Sequence, residues 1–132
     1  MRGTKPRLVV SNEAIVAISA APAWLSKDAK AEWRRVVPDL ISRKVLNDTD
    51  LGSLESYCAA VAGVRETARI ITRQGRIVKS PAGPKAHPAV RMQLQYLESA
   101  RRYAAELGLT PVSRQRAGSS DPGDDGGDDD WA

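Results

Sequence analysis

The chain has no phenylalanine, one histidine and one cysteine among its 132 residues, and aromatic residues make up only 5% of it. A lone cysteine, Cys58, cannot close an intrachain disulfide, so the fold does not depend on an oxidising compartment. With one histidine, His87, the chain also lacks the four ligands of an ordinary structural zinc site. Long apolar runs are missing too. The longest, residues 14–25, is about half of the roughly twenty residues a membrane span needs, and Pro22 interrupts it. Arg2, Lys5, Pro6 and Arg7 look like the charged start of a secretion signal, but no adequate apolar segment with a cleavage site follows. Phosphate-cradling glycine motifs are absent, and the Ser80 to Pro84 turn has neither their glycines nor their Lys-Ser/Thr pair. His87 stands without a positioned partner, and Cys58 falls on the apolar face of a helix, where a buried inert thiol is expected. These absences predict an intracellular protein that is not an enzyme, with no metal, no cofactor and no membrane partner.

What is present is charge, unevenly placed. Twenty Lys and Arg face sixteen Asp and Glu, a net +4. Residues 1–116 hold all twenty cations and ten of the acids, whereas residues 117–132 hold six Asp and no cation. A +10 body with a −6 tail points to a polyanionic partner and to a separate task for the tail. The 42% of hydrophobic residues suffices for one core, and the length leaves no room for a second.

Helical periodicity organises the middle of the chain into a mainly α fold. Residues 1–22 read as a flexible basic arm, or else as a short docking helix, and the apolar stretch from Ile15 to Ala21 within them suits a turn of helix or loose packing. Ser26 is an N-cap for a first helix with Ala29, Trp33, Val36, Val37, Leu40 and Ile41 at helical spacing, and Pro38 is expected to break or kink it. After the turn formers Asn47 to Asp50, apolar Leu51, Leu54, Cys58, Val61, Val64, Ala68 and Ile71 recur every three or four positions, predicting a long helix over 49–74 that Gly75 ends. Arg76 to Lys79 read as a short extended segment, with a small hairpin to Lys85–His87 as an option. Pro88 opens a second long helix to about Leu107, with Gly108 as its terminator. The two long helices form an antiparallel hairpin, giving a helical domain over 23–112. Residues 113–132 have the composition of a disordered acidic tail.

Basic residues carry the functional signal. Arg65, Arg69 and Arg73 lie at i, i+4 and i+8 and predict one stripe, continued by Arg76 and Lys79. The first helix adds Lys27, Lys30, Arg34 and Arg35, and the arm adds Arg2, Lys5 and Arg7. A solvated face explains any one of these segments as well; three in one chain favour backbone-directed, salt-sensitive nucleic-acid binding. Asp128, Asp129, Asp130 and Trp131 read as a short docking element, although a merely solvated tail accounts for the aspartates. A long hairpin in so short a chain exposes apolar surface, so Leu51, Leu54, Val61, Val64, Ile71, Met92, Tyr96 and Tyr103 are candidates for an oligomer interface. Internal packing explains the same residues.

In order and spacing, several words resemble the small terminase subunit of tailed bacteriophages, in the family associated with cohesive-end packaging. They are Pro22-Ala-Trp-Leu-Ser-Lys-Asp-Ala-Lys-Ala-Glu-Trp33, Leu46-Asn-Asp-Thr-Asp-Leu51, Tyr57-Cys58-Ala59, Gly75-Arg76-Ile77-Val78, Pro84-Lys85-Ala86-His87-Pro88-Ala89 and Glu106-Leu-Gly-Leu-Thr-Pro-Val-Ser-Arg114. The last is the most specific, with Val112 where a small polar residue is commoner; His87 stands where Asn is usual. The resemblance implies a ring oligomer in the host cytoplasm that binds viral double-stranded DNA near the packaging start. It also implies presentation of that DNA to the large terminase subunit, which carries the ATPase and nuclease. The alternative from the residues alone is a small helical interaction module that binds an acidic protein without DNA.

Overall fold

A computed structural model of the chain describes residues 14–18 and 20–111. Three helices, α1 (Lys27–Ser42), α2 (Leu51–Gln74) and α3 (Pro88–Glu106), account for most of them; a 3-10 turn (Asp48–Asp50) precedes α2. A two-stranded antiparallel ribbon, β1 (Ile77–Val78) and β2 (Lys85–Ala86), joins α2 to α3, with Ile77 opposite Ala86 and Val78 opposite Lys85. The expected helical hairpin is present, and the optional small ribbon forms at its tip.

The local signals for the element ends work as chemistry. Ser26 Oγ accepts the Ala29 N–H at 3.2 Å and caps α1. At the start of α2, the Asp50 carboxylate accepts the Asn47 N–H at 2.8 Å. Gly75, at φ 85°, ends α2. Gly108, at φ 74°, ends α3: its N–H reaches the Ala105 carbonyl and the Leu109 N–H reaches that of Ala104. This is the paired-bond terminus that a left-handed residue permits. α1 ends in the same way, but Lys44 occupies the left-handed position at φ 57°.

The expected break at Pro38 is corrected. α1 runs through Pro38 to Ser42. Pro38 is exposed, while Val37 and Leu40 on either side of it are buried in the core; the apolar contacts of the last turn hold the helix together despite the missing donor. Most of the segment read as a basic arm lies outside the described residues, and its described part, from Ala14, lies against the fold. Ile15, Ile18 and Ala21 pack against the core, and the Ile15 N–H donates to the Leu46 carbonyl at 2.7 Å.

The core lies mostly between α1 and α2, where Ala29, Trp33, Val36, Val37 and Leu40 meet Leu54, Tyr57, Cys58 and Ala62, closed by Leu25, Leu46 and Leu107. α3 crosses the opposite side of α2 by close approach. A Cβ placed on Gly63 would lie 2.5–2.6 Å from the Tyr96 ring, inside any van der Waals contact. Gly63 therefore sets the spacing of the hairpin. Gly63→Ala should lower stability by about 1–3 kcal/mol despite the better helix propensity of alanine, because the ring must shift. Chemical denaturation of Gly63→Ala, Tyr96→Ala and the double variant checks this, with the double variant losing less than the sum of the singles.

Candidate nucleic-acid interface

A buried acid decides where the cations go. Glu32, on the inner face of α1, is 1% exposed. Its carboxylate accepts from Tyr57 Oη of α2 at 2.6 Å, from Arg35 Nε at 2.9 Å and from Arg65 Nη2 of α2 at 3.2 Å. Burial works against the charged form, but the hydrogen bonds from Arg35 and Tyr57 and the charges of Arg35 and Arg65 outweigh it, so Glu32 lies below the ordinary glutamate range. Burial and the adjoining carboxylate push the Tyr57 hydroxyl well above its ordinary value. One turn earlier, Asp28 pairs with Arg69 and is lowered by that hydrogen bond. Arg65 and Arg69 thus clamp α2 to α1 through ion pairs while staying partly exposed, and Arg35 shares the clamp.

The remaining basic surface gathers at the far end of the hairpin. Arg73, Arg76, Lys79, Lys85 and Arg91 are all exposed, and none is ion-paired among the described residues. From Thr67 to Leu97 the sequence has no acidic residue, so nothing on the two helix ends or the ribbon neutralises them. The ribbon is held by its own backbone: the Ser80 and Gly83 N–H groups exchange bonds with each other's carbonyls at 3.0 and 2.9 Å, and the His87 N–H donates to the Arg76 carbonyl at 2.7 Å. His87 is committed to structure, its Nδ1 accepting the Ala89 N–H at 2.9 Å to cap α3 while Nε2 lies 2.7 Å from Gln74 Oε1. Lys85 and Arg91 were not among the sequence candidates. The acid-free run was the signal that marks them.

A second basic row lies on the outer face of α1, where Lys27, Lys30 and Arg34 keep their charges unpaired among the described residues. Arg2, Lys5 and Arg7, and likewise Asp128, Asp129, Asp130 and Trp131, lie outside the described residues. Cys58 is fully buried, with its thiol pushed up to about 12 by burial and by Glu32, which leaves no thiolate for chemistry at neutral pH. Among the described residues no cluster of three or more His, Cys, Asp or Glu could hold a metal. No helix of the structure is long and apolar enough to cross a membrane.

The sequence pattern of the phage terminase small subunit matches residues 29–124, well over half of the chain, including all of α2 and α3 and all but the first two residues of α1. The chain belongs to the phage terminase small-subunit family. No curated protein and no solved structure matches it. Membership supports a role in phage genome packaging in general.

The apolar candidates divide between packing within the chain and exposure. Leu54 has no accessible surface and Tyr96 covers Gly63 of its own α2. Leu51, Val61 and Tyr103 pack against the protomer's core. These five contribute to the fold before any interface. Val64 and Ile71 are half-buried, whereas Met92 is 44% exposed. Two residues that the reading passed over, Leu94 and Leu97, are 61% and 46% exposed on the outer face of α3.

Glu32 makes the small subunit's stability depend on pH with a definite sign. Because its folded value is depressed, the clamp contributes fully above the unfolded glutamate value near 4.3 and is lost as pH falls through the folded value. Glu32→Ala should cost about 2 kcal/mol at pH 7. Glu32→Gln should flatten the loss of stability between pH 5 and 3 in urea titrations followed by circular dichroism.

Proposed function

We propose that the chain is a non-enzymatic packaging-initiation factor that binds viral double-stranded DNA through the acid-free tip of the α2–α3 hairpin. It works as a ring of copies and presents the DNA to the large terminase subunit, whose ATPase it stimulates. The observation that carries the DNA reading is the segregation of charge. Arg35, Arg65 and Arg69 are spent on α1, whereas Arg73, Arg76, Lys79, Lys85 and Arg91 project from the tip with no acid between Thr67 and Leu97. Cations left unneutralised on a narrow projection suit phosphate contact, and a two-stranded ribbon is narrow enough to enter a major groove. Binding follows the backbone more than the bases, because the ribbon offers no Asn, Gln or Arg fork besides Arg76.

Assembly follows from α3. Of its nineteen residues only Ala89 is fully buried, and Leu94 and Leu97 stand one turn apart on its outer face. A second copy covers such a row, and repetition turns a modest basic tip into a multivalent one.

Replacing Arg76, Lys79 and Lys85 together by alanine should weaken binding to a duplex fragment at least tenfold at physiological salt. It should also flatten the slope of log affinity against log salt by about 2–3 units, at roughly 0.9 per phosphate contact. Arg101→Ala, at an exposed pair with Glu98, should leave both unchanged. Fluorescence anisotropy across a salt series measures this; an unaltered slope in the triple variant refutes the tip as the DNA surface. Leu94→Asp with Leu97→Asp should lower the mass found by light scattering while the helical circular dichroism is retained.

A further inference from the structure

We propose that the acidic C-terminal segment, Asp128 to Trp131, docks in the groove between the outer face of α1 and the docked segment around Ile18 to Ala21 of its own chain. This reading does not depend on DNA binding. The groove has a volume of about 480 Å³ and is lined by Ile18, Ala21, Trp33, Val37 and Pro38, with Arg34 at its rim. That size falls within the range of small-ligand sites. Its chemistry is an apolar trough beside a row of cations: Lys27, Lys30 and Arg34 recur at i, i+3 and i+7 along α1, none of them ion-paired among the described residues.

The segment 128–131 matches both halves. Its three consecutive aspartates meet the cation row, and Trp131 brings a large flat ring to the trough, where one buried aromatic supplies much of a contact's energy. The connection is long enough. The described chain ends at Pro111 next to α1, because Arg43 Nη2 holds the Gly108 carbonyl at 2.9 Å and Leu109 shares a cleft with Val36 and Asp39. Twenty residues from there to Trp131 span up to roughly 66 Å, against a path around a helix roughly 10–12 Å across. Tethering at that length gives a local concentration on the order of millimolar, so a weak contact suffices. Docked there, the tail covers the α1 cations and leaves the hairpin tip as the open basic surface.

Hydrogen–deuterium exchange of the full chain, read by mass spectrometry, tests this at any assembly size. In the described part of the docked segment, the one backbone bond to the rest of the fold is Ile15 to Leu46, so its exchange is sensitive to cover. Trp131→Ala, and separately Arg34→Glu, should each speed exchange in residues 14–21 severalfold while α2 and α3 are unchanged. Unaltered exchange there in both variants overturns the proposal, as does a change centred on residues 76–85, which would move the tail to the tip. The source of the segment is read from a disulfide between Ala20→Cys and Ala132→Cys, with Thr72→Cys paired to Ala132→Cys as the control. A crosslink within one chain supports the proposal; one joining two chains, or equal crosslinking in the control, refutes it.

Discussion

The structure depends on one buried carboxylate. Glu32 sits in the α1–α2 seam with almost no contact with water, a position that is unfavourable for a charge unless donors surround it. Tyr57, Arg35 and Arg65 are those donors, and they come from both helices, so the arrangement exists only when α1 lies on α2 in this register. The neighbouring Asp28–Arg69 pair repeats the logic one turn away. Together they tie up the charges of Arg35, Arg65 and Arg69 in ion pairs, although the three side chains stay partly exposed. The same contacts that fix the fold therefore decide which cations are left without an acidic partner among the described residues.

The second constraint is steric. α2 is a wall shared by two helices, and its faces differ in kind. Toward α1 it presents Leu54, Tyr57 and Cys58, which build a core of side chains; toward α3 it presents Gly63, which admits the Tyr96 ring. α3 is held close over a narrow strip, and its outer side keeps Leu94 and Leu97 in solvent. Among the described residues no further helix covers them. This is why the proposed assembly is built from α3 outward and not from the inward-facing residues.

The element ends were legible because each rests on local chemistry: the Ser26 cap, Gly75, the proline at the start of α3 and Gly108 all act where the sequence puts them. Lys44 was not legible as a terminator, since a lysine in a left-handed conformation leaves no compositional trace. Pro38 misled because its cost is local, whereas the burial of Val37 and Leu40 that offsets it is tertiary. The family was legible in the order of the short words. Helical spacing places Arg65, Arg69 and Arg73 on neighbouring turns, but only the fold shows that α1 brings Glu32 and Asp28 to the first two. Periodicity finds an apolar face and cannot say whether the same chain or another copy covers it.

Site-specific photocrosslinking bears most directly on the claim that the hairpin tip is the DNA surface. A photoreactive amino acid in place of Ile77, which is 64% exposed beside Arg76, would be irradiated with duplex DNA and compared with the same group in place of the exposed Glu98 on α3. The account predicts efficient DNA crosslinking from position 77, lost at high salt, and little from position 98. Equal yields from both positions, or capture from position 98 alone, would contradict it.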